Sequence, residues 1–67
     1  MTLGERLRAA HDAGAPAPLA ALYAEAAGAA DGEAAAFYLT HAWIFALDAG
    51  LPEAAAYEDR LRRIGRA

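Results

Sequence analysis

The sequence predicts an all-α fold, a small antiparallel bundle of four helices in a single domain over residues 1–67. Alanine, the strongest helix former, supplies 22 of the 67 residues, whereas Val is absent and only two Ile and two Thr are β-branched. Glycine and proline divide the chain into four segments with helical periodicity. The predicted connectors are two to four residues long, which favours antiparallel packing of neighbouring helices.

The first helix is expected over residues 3–13. Thr2 and Glu5 have the spacing of a capping box, in which each side chain accepts a hydrogen bond from the backbone N–H of the other residue. Gly14 is a typical residue at a helix end. His11 lies in the last turn, where a basic side chain complements the negative end of the helix dipole.

The second helix is expected over residues 18–30. Pro18 suits a first turn, because proline lacks the backbone N–H that would have no partner there. The apolar residues of this segment follow the spacing i, i+3, i+4, i+7 of one helix face: Leu19, Leu22, Tyr23 and Ala26. Asp31 and Gly32 then form a turn.

The third helix is expected over residues 33–49, with Asp31 as its N-cap and Gly50 at its end. Its large apolar residues occupy nearly the whole circumference: Phe37, Tyr38, Leu39, Trp43, Ile44, Phe45 and Leu47. His41 belongs to the narrow polar stripe that remains. A helix that is apolar almost all round is typically buried, so we expect it at the centre, with other helices packed on two sides.

The fourth helix is expected over residues 52–64, with Pro52 in its first turn. Its apolar stripe consists of Ala54, Tyr57, Leu61 and Ile64. On its exposed side two ion pairs are expected at the i, i+4 spacing, namely Glu58–Arg62 and Asp59–Arg63.

Small and aromatic residues recur at regular intervals in the middle of the chain: Leu19, Ala20, Tyr23 and Gly28, then Ala34, Tyr38 and Ala42. Over residues 19–47 this series resembles the helical hairpin of a tetratricopeptide (TPR) unit. The resemblance implies two helices that approach closely through their small residues. It also implies a helical groove that is presented to a peptide or protein partner.

The charge pattern and the missing residue types exclude several classes of function. Residues 9–59 carry eight acids and no Arg or Lys, and this acidic body disfavours nucleic acid as a partner. The chain has no Ser and no Cys, which excludes serine and cysteine nucleophiles, disulfides and thiolate metal sites. No glycine-rich loop follows a predicted strand, so phosphate-loop motifs are absent. We therefore predict a protein that is not an enzyme and has no cofactor or metal.

The same composition bears on location. The longest segment without a formal charge covers residues 34–47, which is too short to span a bilayer. The N-terminal segment has no apolar stretch typical of a signal peptide. Together with the absence of cysteine, these features predict a cytoplasmic protein that does not enter a membrane.

The candidate site is the aromatic-rich third helix. Two flanking helices of small residues cannot cover all of its large side chains, so we expect some of Tyr38, Trp43 and Phe45 to stay partly exposed in an isolated monomer, with His41 beside them. An open alternative is that the first helix folds back and covers them completely. Arg60 and Arg63 are a second candidate contact, either for an acidic partner surface or for phosphate, unless they serve only solubility and the helix dipole.

These observations favour a small protein–protein interaction module or accessory subunit that binds a protein partner or self-associates through the third helix. An alternative from another class is a helical bundle that binds a small molecule or cofactor, with Tyr38, His41 and Trp43 near the pocket. A third alternative is contact with nucleic acid through the arginine-rich end.

Overall fold

The computed structural model describes residues 2–66 and contains four helices, α1 (Leu3–Ala13), α2 (Pro16–Gly28), α3 (Gly32–Ala49) and α4 (Glu53–Arg63). Residues 2–66 contain no strand, so the all-α prediction is confirmed. Met1 and Ala67, the two ends of the predicted domain, lie outside the described residues. None of these four helices has the length and apolar character needed to cross a bilayer.

The second helix lies two residues earlier than predicted at both ends, because α2 begins at Pro16 and ends at Gly28. The extended backbone of Ala15 leads directly into the helix, and both prolines fit the first turn, where backbone N–H groups have no helical acceptor. At the other end Gly28 weakens the helix, and Ala29 caps it. The other predicted bounds differ from the structure by at most one residue at each end.

The predicted helix ends are mostly confirmed. Thr2 N–H donates to Glu5 Oε1 at 3.0 Å, and Glu5 N–H donates to Thr2 Oγ1 at 3.1 Å, which completes the capping box. The backbone N–H of Thr2 thereby lowers the pKa of the Glu5 carboxyl. Gly50 ends α3 in the left-handed conformation, with φ of 68°. Asp31 occupies the N-cap position of α3, but its side chain accepts no capping hydrogen bond.

The helix backbones approach closely only between neighbours along the chain, so that α1 packs on α2, α2 on α3 and α3 on α4. The backbone measures 31 by 26 by 11 Å. The bundle is therefore a single layer of helices, with α1 and α4 at its two edges. As predicted, α3 is central and has a helix on each side.

The core of this layer shows that neighbouring helices are antiparallel. At one end of the layer Ala27, Leu39 and Leu61 pack together, so the end of α2 meets the start of α3 and the end of α4. At the other end a second cluster consists of Ala20, Ala46 and Ala54. Most of the buried residues are alanines, because small side chains let helix backbones approach closely.

Two expectations about burial are wrong. The third helix is not buried all round, since it is open on one side, where Phe37 and Leu47 are both 58% exposed, and buried on the opposite side, where Ala42 and Ala46 lie. Ile64, expected on the buried stripe of α4, is 54% exposed because it lies beyond the last helical residue, Arg63. The open alternative, that the first helix covers the third completely, is not realised, because α1 packs on the far side of α2 and reaches α3 through the His11 ring, which contacts Phe45.

Candidate functional site

An exposed apolar stripe runs along α3. Phe37, Ile44 and Leu47 are 58%, 51% and 58% exposed. Their spacings of seven and three residues place them on one side of the helix. Ala42 and Ala46, which are completely buried, lie on the opposite side. We call the exposed stripe of Phe37, Ile44 and Leu47 the α3 face.

A cluster of six rings adjoins this face on the side of α2: His11, Tyr23, Phe37, Tyr38, His41 and Phe45. Tyr23 is at its centre and stacks on Phe45, with ring centroids 5.6 Å apart and an interplanar angle of 13°. The Tyr23 hydroxyl shares a 2.9 Å hydrogen bond with His11 Nε2. This ring cluster joins three helices into one continuous surface with the α3 face.

The two histidines are held by neighbours within the cluster. His41 Nδ1 donates to the carbonyl oxygen of Phe37 at 2.8 Å, and the two rings lie 4.4 Å apart. His11 was expected to complement the dipole of α1. Its ring instead reaches across to Tyr23 on α2 and to Phe45 on α3.

A groove of about 280 Å³ lies on the other side of α3, between its first half and the end of α4. Its lining residues are Glu33, Ala36, Phe37, Thr40 and Arg66. Arg66 reaches the groove because Gly65 turns the chain with φ of 76°, and Arg66 N–H donates to Leu61 O at 2.8 Å. The Arg66 guanidinium pairs with the Glu33 carboxylate.

The pair between Glu33 and Arg66 predicts a dependence of stability on pH. The hydrogen bond from Arg66 lowers the pKa of Glu33 below its ordinary value of 4.5. A group with a lowered pKa in the folded state stabilises the fold above its unfolded pKa, and this stabilisation is lost as the pH falls through the folded pKa. We expect urea unfolding to show a small destabilisation of Glu33→Gln at pH 7 that disappears in acid.

The matched control is Glu53→Gln, since Glu53 forms no ion pair with any residue from 2 to 66. It should differ from the wild type less than Glu33→Gln does at pH 7. A difference between Glu33→Gln and the wild type that persisted unchanged well below pH 4.5 would contradict the assignment of this pair.

The predicted site residues separate into three places. Tyr38, His41 and Phe45 meet in the ring cluster, all half-buried. Trp43 points to the opposite side of α3 and packs against both core clusters, the one of Ala20, Ala46 and Ala54 and the one that contains Leu39. Arg60 and Arg63 are exposed on α4, turned away from the buried Leu61.

The structure brings neither the arginines of α4 nor the three residues of the alternative pocket together into one site. Arg63 pairs with Asp59 at 2.9 Å, and the expected pair of Arg62 with Glu58 forms at 2.8 Å. Tyr38, His41 and Trp43 do not converge on one cavity, and none of them lines the groove.

Sequence reasoning missed Phe37, Ile44 and Leu47 as the most exposed large residues of α3. The spacing of small residues contains a signal that would have found them. Ala42 and Ala46 mark the side on which neighbouring helices approach closely, because larger residues there would hold the backbones apart. The large side chains opposite these alanines must then face outward.

The α3 face and the ring cluster together form one largely apolar surface. It offers aliphatic groups together with rings that carry polar tips, a composition typical of the centre of protein interfaces. Within residues 2–66, no three His, Asp or Glu side chains lie close enough together to hold a metal ion. Comparisons with protein-family models, with curated proteins and with solved structures find no match for this chain.

Proposed function

We propose that this protein is a non-catalytic protein–protein interaction module or accessory subunit that self-associates through the α3 face. The observation that carries the proposal is the exposure of Phe37, Ile44 and Leu47, each more than half open to solvent along the central helix. Contiguous apolar surface of this kind on a small protein typically marks an interaction site, since water is released when it is covered.

The single-layer architecture favours a second copy as the partner. Stable domains bury their apolar stripes between two packed layers, and this chain supplies one layer. A second copy placed on the α3 face would provide the other layer. The shared interior would then contain large side chains that the alanine-rich core of one copy lacks.

The chemistry of the chain supports a non-catalytic role. The histidines, which would be the natural general bases, have ring nitrogens that bond to a backbone carbonyl and to a tyrosine hydroxyl. The chain contains no serine or cysteine nucleophile for either of them to activate. We further propose a cytoplasmic location, which the absence of cysteine supports.

We also propose that α2 and α3 form a hairpin of the TPR type. Support comes from the seam between these helices, where Ala20, Ala27 and Ala46 are buried. The close backbone packing of each helix on its chain neighbours is a further similarity to solenoid repeats, which use such arrays to present a surface to partners.

Self-association is tested by the mass of the wild-type protein in solution, measured by light scattering over a series of concentrations. We expect twice the chain mass of 7.0 kDa at high concentration, with dissociation on dilution. A mass of one chain at every concentration up to the millimolar range would overturn the proposal.

A further inference from the structure

The α3 face carries both a protruding side chain and a hollow, and both lie on the side of α3 that faces α4. Leu47 protrudes and is 58% exposed. The groove is lined by Ala36 and Thr40 on α3 and by Arg66 beyond α4. Positions 36, 40 and 47 are four and seven residues apart, so they share one side of the helix. A surface that contains a knob and a matching hollow can be complementary to itself.

The positions of these two features define how two copies would meet. Leu47 lies ten residues from Phe37, which corresponds to about 15 Å along the helix. A two-fold axis that crosses α3 at the level of residue 42 makes the two α3 helices antiparallel. It places Leu47 of each copy at the level of Phe37 in the other. Because that axis lies across the layer, the α4 side of one copy covers the α4 side of the other, so each Leu47 meets a groove.

The charges at the two ends of α3 agree with this arrangement. Asp48 forms no ion pair within the described part of the chain. Arg66 lines the groove, pairs with one carboxylate and remains 45% exposed. With the axis at residue 42, Asp48 of one copy lies level with Ala36 of the other, about one helical turn from the level of Glu33 and its partner Arg66. A parallel two-fold arrangement would instead place Asp48 level with Asp48 and turn each groove toward the α2 side of the other copy.

We infer that a second copy of the chain docks antiparallel on the α3 face, with Leu47 inserted into the groove beside Phe37 and Asp48 paired with Arg66. This inference rests on the proposed self-association and specifies its geometry. The occupant of the groove is thus the leucine of an identical chain, and two such contacts form in each dimer.

Cysteine cross-linking tests the geometry, since the chain has no cysteine of its own. The variants Phe37→Cys and Leu47→Cys are oxidised separately and as a mixture. A disulfide requires Cα atoms less than about 7 Å apart, whereas like residues at these positions are separated by about 15 Å in the antiparallel dimer. We expect a covalent dimer from the mixture and none from either variant alone.

Covalent dimers from each variant alone would indicate parallel helices and would overturn the inference, while the proposed self-association would survive. If Phe37→Cys or Leu47→Cys weakens association, the variant Ala34→Cys tests the direction of the helices instead, because it leaves the α3 face and the groove intact. The two copies of position 34 lie about 24 Å apart along the helices in the antiparallel dimer. A dimer by light scattering without a cross-link at this position supports the inference, and a cross-link overturns it. If light scattering shows that the wild-type protein is a monomer, both the proposed self-association and the inferred geometry are wrong.

Discussion

We expect Leu47→Asp to convert the protein from a dimer to a monomer while its helix content stays unchanged. Leu47 is exposed in one copy, so the substitution removes no core contact and introduces no clash. In the dimer its side chain is buried in the groove, where Arg66 already pairs with Glu33 and with Asp48 of the other copy, so an aspartate there would lose its hydration without a free cation to pair with. The cost therefore falls on association alone.

The size of this effect follows from the symmetry of the interface. Full burial of a leucine side chain contributes roughly 1.5–3 kcal/mol, and each dimer contains the contact twice. A loss of about 3 kcal/mol or more raises Kd by about a hundredfold or more. Sedimentation equilibrium measures this change in Kd, and circular dichroism measures the helix content of the same samples.

Ala9→Asp provides the matched control. Ala9 is exposed on α1, and helical periodicity places it on the opposite side from His11 and the ring cluster. The substitution adds the same charge and should leave the Kd of the dimer within a few fold of the wild type. Equal weakening by both variants would show that net charge, and not the α3 face, controls association.

We expect Leu61→Ala to cause the largest loss of folding stability. Leu61 is a completely buried large side chain that joins α4 to Leu39 on α3 and to Ala27 on α2. Truncation of a buried leucine costs roughly 2–5 kcal/mol, since the surrounding side chains close only part of the cavity. A domain of this size has a total stability of roughly 3–10 kcal/mol, so much of it would be lost.

Urea unfolding followed by circular dichroism measures this loss, with every variant at the same protein concentration because association adds to the apparent stability. Ile64→Ala is the control, since Ile64 is 54% exposed beyond the end of α4. It should change the free energy of unfolding by about 0.5 kcal/mol or less. Similar losses for both variants would contradict the position of Leu61 in the core.

The sequence predicts most of the local structure because short-range chemistry determines it. Thr2 and Glu5 lie three residues apart, so their capping box requires no knowledge of the rest of the fold. The pairs on the exposed side of α4 form for the same reason, since i, i+4 neighbours meet in any helix. The start of α2 at Pro16 was missed because two prolines compete for one first turn.

The candidate site was harder to predict because it depends on how the helices assemble. The apolar circumference of α3 is compatible with complete burial or with an exposed stripe, and the number of layers decides between them. Trp43 is half-buried against both core clusters, whereas Phe37, which the sequence does not single out, is left on the open surface for this reason.

The alanines acquire a specific role in this fold. They permit close approach of α2, α3 and α4 and therefore turn the large side chains of α3 away from the seam. The same property that packs the layer tightly thus leaves the α3 face exposed.

We propose that α3 meets α3 of a second copy, and NMR on a mixture of isotope-labelled and unlabelled chains can observe this contact. Filtered spectra of such a mixture report only contacts between different copies. We predict contacts from the methyl groups of Leu47 in one copy to the ring of Phe37 in the other. Contacts confined to the edge helices α1 and α4, or no contacts at concentrations where the protein is dimeric by mass, would contradict the claim.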